Sequence, residues 1–93
     1  MINSNLRRVK NISKEMELGY KNYFIRNASK FFKKWEFKED DLGIIFIKEN
    51  EEYVLIGQVT DSKFYLKNTT DDSRWFVDGD YLMKEFERKK NIS

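Results

Sequence analysis

The stretch Gly43-Ile44-Ile45-Phe46-Ile47-Lys48, carried on through Tyr53-Val54-Leu55-Ile56-Gly57-Gln58-Val59, decides the fold. Both runs are rich in β-branched and aromatic residues and are separated by a polar Asn50-Glu51-Glu52 turn, the pattern of two strands and their connection. Asp61-Ser62 then makes a tight reversal into Lys63-Phe64-Tyr65-Leu66-Lys67, where apolar and polar positions roughly alternate. The polar run from Asn68 to Ser73 reads as a loop, and Arg74-Trp75-Phe76-Val77 as a fourth short strand. Connections this short favour antiparallel neighbours, so residues 43–77 are expected to form a three- to four-stranded antiparallel meander.

On the N-terminal side the period changes. Ile2, Leu6, Val9, Ile12 and Met16 recur at three- and four-residue steps, the spacing of one helix face. Ser4 reads as its N-cap and Gly19 as its stop or kink. Tyr20, Phe24, Ala28, Phe31 and Trp35 share a second apolar arc, with Arg26, Lys30, Lys33 and Lys34 opposite and Tyr23 among them. Residues 4–35 are thus read as one long helix or two. After Val77, Asp78-Gly79-Asp80 can open a short C-terminal helix over about 79–90, with Tyr81, Leu82 and Phe86 as its apolar stripe. The expectation is one α+β domain over 1–93: basic and helical in 1–38, an acidic sheet in 43–77, and a closing helix.

Composition narrows the chemistry. The 93 residues contain no histidine and no cysteine, yet carry eight Phe, five Tyr and two Trp. Without His or Cys there are no Cys/His zinc sites, no thiol chemistry and no nucleophile–histidine pair. Glu36-x-Lys38 has no upstream aspartate to complete a nuclease metal site, and the four glycines are too scattered for a phosphate loop. Asp71, Asp72, Asp78 and Asp80 lack the spacing of a calcium loop, and Asp78 already serves as an expected helix cap. No enzyme, metal or cofactor is expected. No apolar run reaches a membrane span and the start lacks a signal-peptide core, so the chain reads as cytoplasmic.

The net charge of +2 conceals an asymmetry: residues 1–38 carry +7, residues 39–87 carry −8, and Arg88-Lys89-Lys90 return +3. Such segregation either orients a partner or holds the two halves of the fold together. Two binding surfaces follow. Carboxylates crowd the expected turns, so Glu49, Glu51, Glu52, Asp71 and Asp72, with Trp75 and Tyr65 as aromatic anchors, form a candidate contact for a protein or ribonucleoprotein. The alternative is nucleic acid on the basic side of the second helix, through Tyr23, Arg26, Lys30, Lys33 and Lys34. Edge strands or the first helix could pair two copies of the chain. Small size, charge polarity and AT-rich coding character together suggest a phage or mobile-element protein. A concrete form is an anti-CRISPR-like inhibitor of a defence nuclease, an expectation resting on general character rather than on a motif.

Overall fold

A computed structural model describes residues 5–27 and 42–89. They form an α+β fold: one six-stranded, wholly antiparallel sheet and two helices. The strands are β1 (Leu6–Val9), β2 (Ile45–Lys48), β3 (Glu51–Thr60), β4 (Lys63–Asn68), β5 (Arg74–Asp78) and β6 (Glu87–Lys89). Helix α1 (Lys14–Asn27) lies between β1 and β2 in the chain, and α2 (Gly79–Glu85) lies between β5 and β6. The sheet order is β1-β5-β4-β3-β2-β6, so the expected meander β2 to β5 is its centre. No helix among the described residues is long and apolar enough to cross a membrane.

Two additions enlarge the expected sheet. Leu6–Val9 is a strand, not the start of a helix: it pairs with β5, placing Leu6 opposite Val77 and Val9 opposite Arg74. Tertiary pairing overrides the local helical spacing there, as it often does for short segments. Asn11, at φ 61°, breaks the chain between β1 and α1, in the left-handed region that asparagine tolerates best after glycine. The expected C-terminal helix ends at Glu85, and residues 87–89 add to β2 as β6. Asp78 occupies the N-cap position of α2, but its side chain makes no capping hydrogen bond.

Helix α1 begins later than the sequence suggests, because Ser13 caps it. The Ser13 Oγ accepts from the Met16 amide at 3.1 Å, while the Ser13 carbonyl accepts from Glu17 N at 3.0 Å. Glu15 and Glu17 in the first turn and Arg26 in the last complement the helix dipole. Gly19 does not stop the helix, which continues through it to Asn27. The expected second helix over 20–35 is observed as far as Asn27; its remainder lies outside the described residues.

Register assigns the side chains to two faces. Phe46, Tyr53, Leu55, Phe64, Leu66 and Val77 lie on one face, where Leu82 and Phe86 join them in the apolar core. Phe86 meets Tyr53 edge-on at 5.5 Å and Phe46 at 6.5 Å. On the other face, Tyr65 stands opposite Gly57 on one side and Phe76 on the other, and α1 packs there. Tyr20 of α1 completes an aromatic trio, 4.9 Å from Tyr65 and 5.8 Å from Phe76. This close approach requires Gly57: a Cβ there would stand 2.8 Å from the Tyr20 Cβ and 2.9 Å from its carbonyl carbon.

Candidate functional site

Two surfaces emerge from this framework. The first is the end of the sheet where the β2–β3 and β4–β5 connections meet. The β2–β3 turn is Glu49-Asn50, closed by the Lys48–Glu51 pair, with both turn residues at positive φ (51° and 66°). That conformation is a two-residue turn matched to strand twist. The expected Asn50-Glu51-Glu52 turn is therefore displaced by a residue or two, and Glu51 and Glu52 already belong to β3.

Because β3 pairs with both β2 and β4, this turn comes alongside the Asn68–Ser73 loop. Hydrogen bonds then join the two. Thr69 N donates to the Glu52 carbonyl at 3.0 Å, and Asn68 Nδ2 donates to Glu51 Oε2 at 2.9 Å. Within the loop, Asn68 Oδ1 accepts from Thr70 N at 2.8 Å. Asp71 Oδ1 accepts from both Ser73 N and Ser73 Oγ, at 2.9 and 2.6 Å. Those bonds hold the Asp71 carboxyl below its ordinary pKa. Ser73 Oγ in turn accepts from the Trp75 indole N–H at 2.7 Å.

The five predicted carboxylates are thus gathered at one end of the molecule, though not equivalently. Glu49 and Asp72 project furthest, with side chains 83% and 81% exposed. Glu51 and Asp71 are exposed but committed to holding the loops, and Glu52 is half-buried. The aromatic anchors need correction. Tyr65 is fully buried beneath α1 and cannot touch a partner. Trp75 is half-buried, packed edge-on against Tyr53 at 6.2 Å with its N–H already engaged, so it supports the loop from behind. Cations border the cluster: Lys48 pairs with Glu49 at 3.1 Å, and Lys67 lies 4.0 Å from Asp72.

The second surface joins α1 to the sheet. Glu17 is its hub: Oε1 accepts from Arg74 Nε at 2.6 Å and from the Tyr65 hydroxyl at 3.0 Å. Burial alone would raise the Glu17 pKa, but the hydrogen bonds from Arg74 and Tyr65 and the charge of Arg74 outweigh it, leaving the carboxyl below its ordinary range. Burial and donation to Glu17 push the Tyr65 phenol well above its ordinary value. Arg74 also donates through Nη1 to the Asp72 carbonyl. Beside this hub, a cleft of about 380 Å³ opens between α1 and the sheet. Lys14, Glu17, Leu18 and Lys21 form its helix wall; Ile56, Lys67 and Arg74 form its sheet wall.

Of the residues expected to bind nucleic acid, Tyr23 donates its hydroxyl to Asp61 at the β3–β4 turn, which raises the phenol pKa. Its polar tip is therefore tied to the fold. Arg26 is exposed near the end of α1, and Lys30, Lys33 and Lys34 lie outside the described residues. The cleft was not legible as a site in the sequence. Its signals were the Lys14/Lys21 spacing of seven, which stacks two residues on one helix face, and the hairpin register that sets Lys67 opposite Arg74. Neither can be used until the helix start and the strand pairing are fixed. Among the described residues, no group of three or more acidic side chains is placed to hold a metal ion. Compared with protein families, curated proteins and solved structures, the chain matches none.

Proposed function

We propose that this is a small non-enzymatic binding protein that captures a protein or ribonucleoprotein through the acidic end of its sheet. The observation that carries this reading is the joining of the two acidic connections by the Thr69–Glu52 and Asn68–Glu51 hydrogen bonds. A negative surface held by backbone and side-chain bonds loses little freedom on binding, so its charge is available for steering and contact. The partner that fits is a basic groove of the kind that holds nucleic acid. A phage or mobile-element inhibitor of a bacterial defence nuclease, anti-CRISPR-like in action, is the concrete form of the proposal.

The test uses Glu49→Lys combined with Asp72→Asn. These side chains are exposed and, unlike Asp71, do not hold the loop, whereas lysine at 71 would remove two hydrogen bonds that shape it. Purified defence nucleases, with and without their guide RNA, are titrated with both forms while binding and cleavage are followed. Stoichiometric inhibition by the natural chain, with affinity reduced about tenfold or more in the variant, is the expected result. Absence of binding across the panel, or equal binding by the variant, rejects the acidic end as the contact.

A further inference from the structure

The geometry points to a second binding site, distinct from the acidic end but adjoining it through Lys67 and Asp72: the cleft between α1 and the sheet receives a phosphate ester carrying a flat or apolar body, a nucleotide unit either free or within a single strand. Lys14, Lys21, Lys67 and Arg74 converge on this recess, and Glu17 is its one carboxylate. Glu17 and Arg74 offset one another in an ion pair of 2.6 Å through Glu17 Oε1, which also accepts from Tyr65, so the unbalanced cations are Lys14, Lys21 and Lys67. Among the described residues neither Lys14 nor Lys21 forms an ion pair, and Lys67 reaches the Asp72 carboxylate at 4.0 Å and lies within the field of Glu17. The lining therefore carries a net formal charge of +3, an excess that attracts an anion. A multiply charged phosphate answers that excess better than a carboxylate does, and lysine and arginine are its usual ligands.

Charge is only half of the cleft. Leu18 and Ile56 face the same space, and Leu18 is 56% exposed although it stands between two lysines of the helix wall. Aliphatic surface beside cations suits a ligand that is anionic at one end and flat or apolar at the other. The volume of about 380 Å³ is at the small end of ligand pockets, which run roughly 300–1,000 Å³, and the cleft is open to solvent, so one such unit can lie along it.

Amide chemical shifts of isotopically labelled protein provide the test, in titrations with adenosine monophosphate, a short single-stranded oligothymidylate and inorganic phosphate at low salt. Saturable shifts confined to Lys14–Lys21, Ile56, Lys67 and Arg74 are expected, weakest with inorganic phosphate because it cannot use Leu18 and Ile56. Equal affinity for nucleotide and oligonucleotide assigns the site to free nucleotides, and much tighter oligonucleotide binding assigns it to a strand. Lys14→Glu with Lys21→Glu should weaken binding about tenfold or more, and Lys84→Glu, a cation on α2 away from the cleft, should leave it unchanged. Both helix lysines are exposed, and the milder Lys14→Gln with Lys21→Gln, checked by near-ultraviolet circular dichroism, should fall between the two. Absence of saturable shifts with all three probes, shifts elsewhere, or an equal loss in Lys84→Glu overturns the inference.

Discussion

Two glycines show how one residue type carries opposite meanings. Gly57 sits where α1 crosses β3, and a methyl group there would meet the Tyr20 backbone, which cannot move without shifting the helix. Gly57→Ala should therefore destabilise the protein by about 2 kcal/mol, the usual scale for overpacking a contact with no room to relax. Gly19 lies in the same helix on an exposed turn with nothing within 4 Å of its missing Cβ. Gly19→Ala should stabilise by about 0.5–1 kcal/mol, because alanine restricts the unfolded chain and costs nothing in the helix. Urea unfolding of the two variants side by side checks both signs. If Gly57→Ala proves neutral, the close crossing of α1 on β3 is wrong. Gly57 in the sequence is an ordinary interruption of a strand, and only the helix crossing above it gives it this importance.

At the scale of elements, α1 is held to the sheet by the aromatic trio and by Glu17. Glu17 has a folded pKa below its ordinary value of 4.5, so its contribution is complete above that value and is lost as pH falls through the lower, folded value. With its side chain 29% exposed and Arg74 28% exposed, the pair contributes about 1–2 kcal/mol, near the low end for charge-assisted bonds. Glu17→Gln should be less stable by about that amount at pH 7, and the gap should close below about pH 4.5. Urea midpoints across that range measure it; a gap that does not shrink at all as pH falls below 4.5 would mean that packing, not charge, separates the two forms. Asp71 weakens with acid in the same sense, but it does so in both proteins and cancels from the difference. The central meander was legible because β2 to β5 are joined by short polar connections and carry β-branched and aromatic runs. The edges were not. Leu6–Val9 owes its strand to β5, more than 60 residues away in the chain, and Glu87–Lys89 owes its strand to β2. The acidic end was legible in composition, since turns collect carboxylates. Its joining hydrogen bonds and the burial of Tyr65 depend on register and on α1, which no local pattern contains.

At the scale of the molecule, acidic and basic groups among the described residues meet along a seam. Arg74 reaches the Asp72 carbonyl while its guanidinium also holds Glu17, and Lys67, which lines the cleft, approaches the Asp72 carboxylate at 4.0 Å. The acidic end and the basic cleft are therefore neighbours linked by the Asp72–Lys67 contact, and altering Asp72 should move both surfaces in opposite directions. Asp72→Asn is the informative change. Asparagine accepts the left-handed conformation at φ 60°, and the bond from Arg74 goes to a backbone carbonyl that the substitution keeps. What is lost is one exposed negative charge beside Lys67. An exposed pair of this kind is worth about 0.2–1 kcal/mol, so nucleotide or oligonucleotide affinity at the cleft should rise by up to about fivefold, with the gain shrinking as salt is added. Capture of a basic partner at the acidic end should weaken by a similar factor in the same variant. Fluorescence anisotropy with a labelled oligonucleotide reads the first effect and surface-immobilised partner the second. Opposite changes would establish that the Asp72–Lys67 contact sets the charge of both surfaces. An unchanged oligonucleotide affinity would show that the 4.0 Å separation is already screened and that the two surfaces act independently.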